Sequence, residues 1–201
     1  MNSSSGAERR RAVGLAGHTG DTPGARRGLD DAEAVVRVAA LRSLVRLGAL
    51  TDDELIVAIA DDDPAVRIAS LEVAASRPGP PIAALLADPD AMVVESAAWA
   101  LGERADRTET TVDALADIAR NHEDPLAREA AVAALGAIGD ERGLPAVLEA
   151  TGDKPAIRRR AVIALVAFEG PEVDAAWARA RSDRDRQVRD AIDELLGPEE
   201  T

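Results

Sequence analysis

Residues 121–139 read Asn121-His122-Glu123-Asp124-Pro125-Leu126-Ala127-Arg128-Glu129-Ala130-Ala131-Val132-Ala133-Ala134-Leu135-Gly136-Ala137-Ile138-Gly139. Asp124 is a good N-cap, because its carboxylate can accept a backbone N–H that the first helical turn leaves unpaired. Pro125 suits that turn, where its missing N–H removes no helical hydrogen bond. Apolar and small residues at 127, 130, 131, 134, 135 and 138 recur at three- and four-residue steps, the stripe of a helix buried along one side. Gly136 and Gly139 read as stops after Leu135 and Ile138. A shorter helix is expected from Leu144 to Ala150, so the unit is a pair of helices.

The core of this stretch, an aliphatic residue, arginine, one variable residue and two small ones, recurs along the chain. It stands as Val36-Arg37-Val38-Ala39-Ala40, Val66-Arg67-Ile68-Ala69-Ser70, Val93-Val94-Glu95-Ser96-Ala97, Ala127-Arg128-Glu129-Ala130-Ala131, Ile157-Arg158-Arg159-Arg160-Ala161 and Val188-Arg189-Asp190-Ala191-Ile192. The arginine register advances by 30, 27, 34, 30 and 31 residues. A period of that size predicts stacked units, each burying its apolar face against the next. Asp63-Pro64, Asp90, Lys154-Pro155 and Asp185 repeat the helix start. Companion helices are expected over Asp53 to Ala60, Pro81 to Ala87, Thr111 to Ala119, Leu144 to Ala150 and Glu172 to Ala180.

The ends read as caps. Arg9 to Asp21 aligns without a gap on Arg128 to Asp140, so the array opens on a half unit, followed by a compressed helix near Pro23 to Leu29. The column Leu41, Leu71, Ala98, Val132, Val162 turns to Asp193 in the last unit, which suits an exposed stack end. The expected organisation is a flexible tail over 1–8, one array of about five full units with half-unit caps over 9–197, and a tail over 198–201, a complete chain.

Composition narrows the function. The 201 residues are 46% hydrophobic but 1% aromatic, so the interior must be built from Ala, Val, Leu and Ile, leaving little room for a deep ligand cavity. A net charge of −13 opposes a phosphate backbone, which makes nucleic acid a poor partner. Residues 1–29 carry five arginines against Glu8 and Asp21, the one basic stretch of an acidic chain. The absence of cysteine excludes disulfides, thiolate metal sites and cysteine nucleophiles. No apolar run has the length of a membrane span, and residues 1–6 lack the hydrophobic segment of a signal peptide. A cytoplasmic protein with no membrane association is expected.

The phrase turn-Val-Arg-x-Ala-Ala-x-x-Leu-Gly resembles the HEAT repeat, and more narrowly the HEAT-like repeats of phycobilisome lyase subunits, over roughly residues 9–197. The resemblance implies an all-α, right-handed α-solenoid of stacked antiparallel helix pairs, with the Val-Arg helices lining a concave face. It also implies a ladder between units, made by each arginine and an aspartate six residues before it. Asp31, Asp61, Asp88 and Asp183 fit the aspartate position, and Arg37, Arg67, Arg128, Arg158 and Arg189 the arginine. Val94 stands where an arginine is expected, and His122 and Gly152 where an aspartate is. Looser coupling is therefore expected near the centre, where the polar segment Arg104 to Thr110 also lengthens the step.

Chemistry has few candidates. His122-Glu123-Asp124 is similar to the His-Glu pairs of the HEAT-repeat hydroxylase acting on deoxyhypusine, but that family needs several such pairs and this chain has one. His18 has no carboxylate at ligand spacing. Asp52-Asp53-Glu54 and Asp61-Asp62-Asp63 lack the alternating ligands and central glycine of a calcium loop, and they precede helices, where acids favour the dipole. No cofactor and no catalytic residue is expected. A lyase-like or metal-dependent accessory enzyme is the alternative.

The functional signal lies in two variable columns of the Val-Arg helices, Val38/Arg42, Ile68/Glu72, Glu95/Trp99, Glu129/Ala133, Arg159/Ile163 and Asp190/Glu194. A tryptophan flanked by carboxylates suits a basic or amphipathic peptide, the ring anchoring and the acids selecting charge. Glu72, Glu95, Trp99, Glu129, Arg159 and Ile163 are the expected partner-binding residues of a non-enzymatic protein- or peptide-binding scaffold. Trp177, beside Val173 and Ala180, is expected in the core.

Overall fold

The computed structural model describes residues 5–197. Among them are twelve α-helices and no strand, as the periodicity requires. The helices gather into two compact units, residues up to Ile82 and residues from Ala83 onward.

The first unit holds α1 (Gly6–Thr19), α2 (Thr22–Arg27), α3 (Ala34–Arg46), α4 (Asp52–Ile59) and α5 (Pro64–Ala74). α1, α3 and α5 lie side by side, and α2 and α4 pack against them. Val36, Ala40, Leu41, Leu44, Leu55, Val66 and Leu71 fill the space between. α1 starts within the expected tail. Ser5 accepts the Glu8 N–H while the Glu8 carboxylate accepts the Ser5 N–H at 2.8 Å, a reciprocal cap that makes residues 6–8 helical. The remainder of the expected tails, residues 1–4 and 198–201, lies outside the described residues.

The second unit holds α6 (Ala91–Glu103), α7 (Glu109–Asn121), α8 (Pro125–Ile138), α9 (Leu144–Ala150), α10 (Pro155–Ala164), α11 (Pro171–Ala180) and α12 (Arg186–Leu196). α6, α8, α10 and α12 follow one another in one layer, with α7, α9 and α11 forming the other. The expected helix over Pro81 to Ala87 is a 3-10 turn, Ala83–Ala87. Pro89 follows two residues after Ala87 and disfavours the α region at Asp88, which keeps the segment short. The 34-residue step arises because α7 has 13 residues where α9 has 7.

One expected stop is not one. Gly136 lies inside α8, where a Cβ would come within 2.6 Å of the Ala164 Cβ, so the missing side chain lets α8 and α10 touch. Gly139 ends the helix in the left-handed region, φ 62°, with its N–H on the Leu135 carbonyl. Trp177 packs against Val162, Val188 and Ile192 and donates its indole N–H to the Val162 carbonyl at 3.2 Å, the core position expected of it. Asp193 is exposed and accepts from Arg181 at 3.1 Å.

Candidate functional site

Arg37, Arg128 and Arg158 each serve two neighbours. Arg37 donates through Nη1 to the Asp31 carbonyl of its own turn at 2.8 Å, and through Nε and Nη2 to both oxygens of Asp61 in the following repeat at 2.8 and 2.7 Å. Arg158 does the same with the Asp153 carbonyl and the Asp183 carboxylate, each at 2.8 Å, and is only 5% exposed. Arg67 and Arg189 reach the carbonyls of Asp61 and Asp183. The aspartates also fold their own turns, Asp61, Asp88 and Asp183 accepting the N–H two residues on. A planar guanidinium matches this double demand as an ammonium could not.

Two rungs escape simple motif matching. Arg9 binds Asp31 bidentately at 2.7 and 2.9 Å, which its alignment with Arg128 signalled. Arg128 binds Asp153 at 2.8 and 3.1 Å. Gly152 therefore does not replace the aspartate: the turn before Pro155 is one residue shorter, and Asp153 takes the place with its side chain on the Lys154 N–H. The Arg9 hydrogen bonds hold the Asp31 carboxyl down at about 2. Arg128 and Arg158 lower Asp153 and Asp183 from the ordinary carboxylate range. Burial pushes Asp61 upward, but the hydrogen bonds from Arg37 and Asp63 outweigh it and the net direction is down.

The rule that arginine reaches the next repeat's aspartate makes Val94 and His122 the two halves of one missing rung. His122 still shapes its turn, with Nδ1 accepting the Asp124 N–H at 3.1 Å and its carbonyl accepting Arg128 at 2.8 Å. Val94 is buried with Val93, Ala97, Ala98 and Leu101. Further along the same pair of helices α6 and α8 pack closely, a Cβ on Gly102 meeting the Ala134 Cα at 3.0 Å.

On the exposed side of α6 and α8 lies a groove of about 400 Å³ that includes Glu95, Trp99, Glu103, Leu126, Glu129 and Arg160. Its floor is alanine, Ala130, Ala133, Ala134 and Ala137, which explains why the walls approach without closing. Trp99 is 46% exposed, so it does not serve as interior filling. Glu95, Trp99 and Glu103 share one helical face at four-residue steps. Leu126 precedes Glu129 by three residues and is exposed with Trp99. Arg160 Nη2 approaches Glu129 at 3.5 Å. A second cavity of about 250 Å³ adjoins it, sharing Ala133, Ala137 and Arg160 and adding Ile163 and Val166.

Of the six residues singled out in sequence, Glu95, Trp99 and Glu129 line the first cavity and Ile163 the second. Arg159 is exposed and lines neither; its neighbour Arg160 lines both. Glu72 belongs to the first unit, where Arg42 stands 3.6 Å away. Glu103 and Leu126 were missed because the column reading stopped at two positions per helix, although both fall on its period.

The other candidates are engaged structurally. Asp124 caps the Leu126 N–H at 2.8 Å, and Thr51 and Glu54 form a reciprocal cap at the start of α4. His18 Nε2 lies 2.8 Å from Arg46 Nη1. Among the described residues no group of three or more His, Cys, Asp or Glu is placed to hold a metal ion. Among them, too, no helix is long and apolar enough to cross a membrane.

A family model described as HEAT repeats matches residues 53–135, 78–165 and 112–197. The chain belongs to the HEAT repeat family. No curated protein matches it in sequence. Among solved structures, this HEAT repeat protein is similar to a designed armadillo repeat protein, YIII(Dq)4CqI, at TM-score 0.62 and 15% identity over 87% of this chain and 98% of that one. A second designed armadillo repeat protein, solved in complex with the peptide (KR)4, aligns at TM-score 0.63 and 16% identity, covering 88% of this chain and 98% of that one. Human deoxyhypusine hydroxylase in complex with glycerol aligns at TM-score 0.50 and 20% identity, covering 97% of this chain and 80% of that one. At these identities the likenesses concern the fold.

Proposed function

We propose that this HEAT repeat protein is a non-enzymatic scaffold that binds a basic or amphipathic peptide segment on the exposed face of α6, α8 and α10, the face that HEAT arrays make concave. The observation that carries the reading is Trp99, half exposed on the α6 wall of a groove that also bears Glu95, Glu103 and Glu129 against the cation Arg160. An indole face attracts a guanidinium or ammonium, and flanking carboxylates strengthen that attraction while repelling acidic chains. The complex of an armadillo repeat protein of similar fold with (KR)4 accords with this chemistry. The net charge of −13 favours the same partner and disfavours nucleic acid. No cofactor is invoked, and a cytoplasmic setting suits a chain without cysteine.

The test is titration of the protein with a Lys/Arg octapeptide and with a Glu/Asp octapeptide of equal length, read by NMR at low salt. Saturable binding of the basic peptide alone is expected, weakened at least tenfold by Trp99→Ala and by Glu95→Arg. Equal affinity of wild type and both variants, or no binding, would overturn the proposal.

A further inference from the structure

The groove has two chemically different halves, and their order sets a requirement on the ligand. The half between α6 and α8 carries Glu95, Trp99, Glu103 and Glu129, three carboxylates against Arg160 at its border with the other half. The half between α8 and α10 has Arg160 as its only charged wall and is otherwise apolar, with Ile163 and Val166, the latter 57% exposed, at its far side. A cation is held in the first half and repelled in the second, while an aliphatic side chain gains most in the second. Resting on the peptide-binding reading above, we infer that the second half is an aliphatic subsite, and that the ligand is an extended segment with an arginine or lysine and, three residues along, an aliphatic side chain.

The spacing follows from the scaffold. Adjacent helices in one layer stand about 8–10 Å apart, so the centres of the two halves are separated by about that distance. An extended chain of the polyproline type rises about 3.1 Å per residue with three residues per turn, so residues three apart share a face at about 9 Å. An α-helix spans the same distance only in about six or seven residues, and its diameter of about 10–12 Å is wider than the spacing between adjacent helices, so it would ride high on the groove. The extended form therefore seats deeper on the alanine floor. The Glu129–Arg160 pair stands between the halves, at a loose 3.5 Å, where it can meet the peptide backbone linking the two side chains.

The experiment uses acetylated, amidated tetrapeptides titrated into the whole protein by NMR. Arg-Ser-Ser-Leu and Leu-Ser-Ser-Arg cover both chain directions, with Arg-Ser-Ser-Ser and Ser-Ser-Ser-Arg as their references. At least one leucine peptide is expected to bind about tenfold tighter than its reference, a gain that partial burial of one leucine supplies. That preference should vanish in Ile163→Asp and in Val166→Asp, the second at an exposed position whose change leaves the core intact. If leucine and serine peptides bind equally and both depend on Trp99, the aliphatic subsite is overturned while the basic-peptide reading stands. If a leucine preference survives both variants, the subsite is elsewhere and the inference falls. If no arginine peptide binds at all, the parent reading falls with it.

Discussion

If Val94 and His122 are two halves of one rung, replacing both should recover an interaction that neither replacement gives alone. Intact rungs place two guanidinium N–H groups on two carboxylate oxygens at 2.7–3.1 Å, as Arg37 does with Asp61 and Arg128 with Asp153. Hydrogen bonds to charged groups contribute about 1.5–3 kcal/mol each before desolvation is counted, so a half-buried bidentate pair should show a coupling of about 2–3 kcal/mol. Val94→Arg alone places a charge among packed side chains with no carboxylate to meet it. It also loses the burial of a valine, about 1.5 kcal/mol or more. His122→Asp alone keeps the turn, since an aspartate accepts the N–H two residues on as Asp61 does, but adds an unpaired carboxylate. Each single variant should be destabilised by about 1–3 kcal/mol, and the double variant should be more stable than the sum of the two by that coupling of about 2–3 kcal/mol. The arginine stem is accommodated at this register elsewhere, Arg128 and Arg158 being 12% and 6% exposed in their side chains. The assay is urea unfolding followed by tryptophan fluorescence, which reports the second unit because Trp99 and Trp177 both lie there. A double-mutant coupling below about 0.5 kcal/mol would refute the pairing of these positions.

Gly136→Ala should destabilise the second unit by about 1–3 kcal/mol, because the added Cβ meets Ala164 Cα at 2.7 Å and α8 and α10 cannot separate without loss elsewhere. Gly14→Ala in α1, where a Cβ meets nothing within 4 Å, should instead gain about 0.5–1 kcal/mol in the first unit, both effects being read from thermal or urea unfolding. Acid should dissolve the ladder. Asp31, Asp61, Asp153 and Asp183 are lowered in the folded protein, so below the ordinary carboxylate range the unfolded chain binds more protons than the folded one. The stability they contribute is complete above about pH 4 and is lost as pH falls toward about 2, where Asp31 itself titrates. Urea midpoints flat from pH 4 down to 2 would contradict this, and Arg158→Met should make the decline shallower.

The helical repeat, its register and the helix starts were legible in the chain, because these are local. Asp63, Asp90, Asp124 and Asp185 each cap the helix that follows within two residues, and the apolar stripe needs only the 3.6-residue period. The sequence also singled out Trp99, by its place in a variable column beside carboxylates, and set it apart from Trp177 on a companion helix. The rest depends on which residues meet across repeats, and that needs the packed helices. Gly136 and Gly139 look alike in sequence, yet one admits a neighbouring helix and the other ends its own. Val94 and His122 read as separate departures, and become one event only because a guanidinium spans from one turn to the next. The exchange of Arg159 for Arg160 on the groove has the same origin. Helical period fixes a side chain's direction to within a face, but which of two adjacent arginines borders a cavity is set by how closely glycine and alanine let the next helix approach.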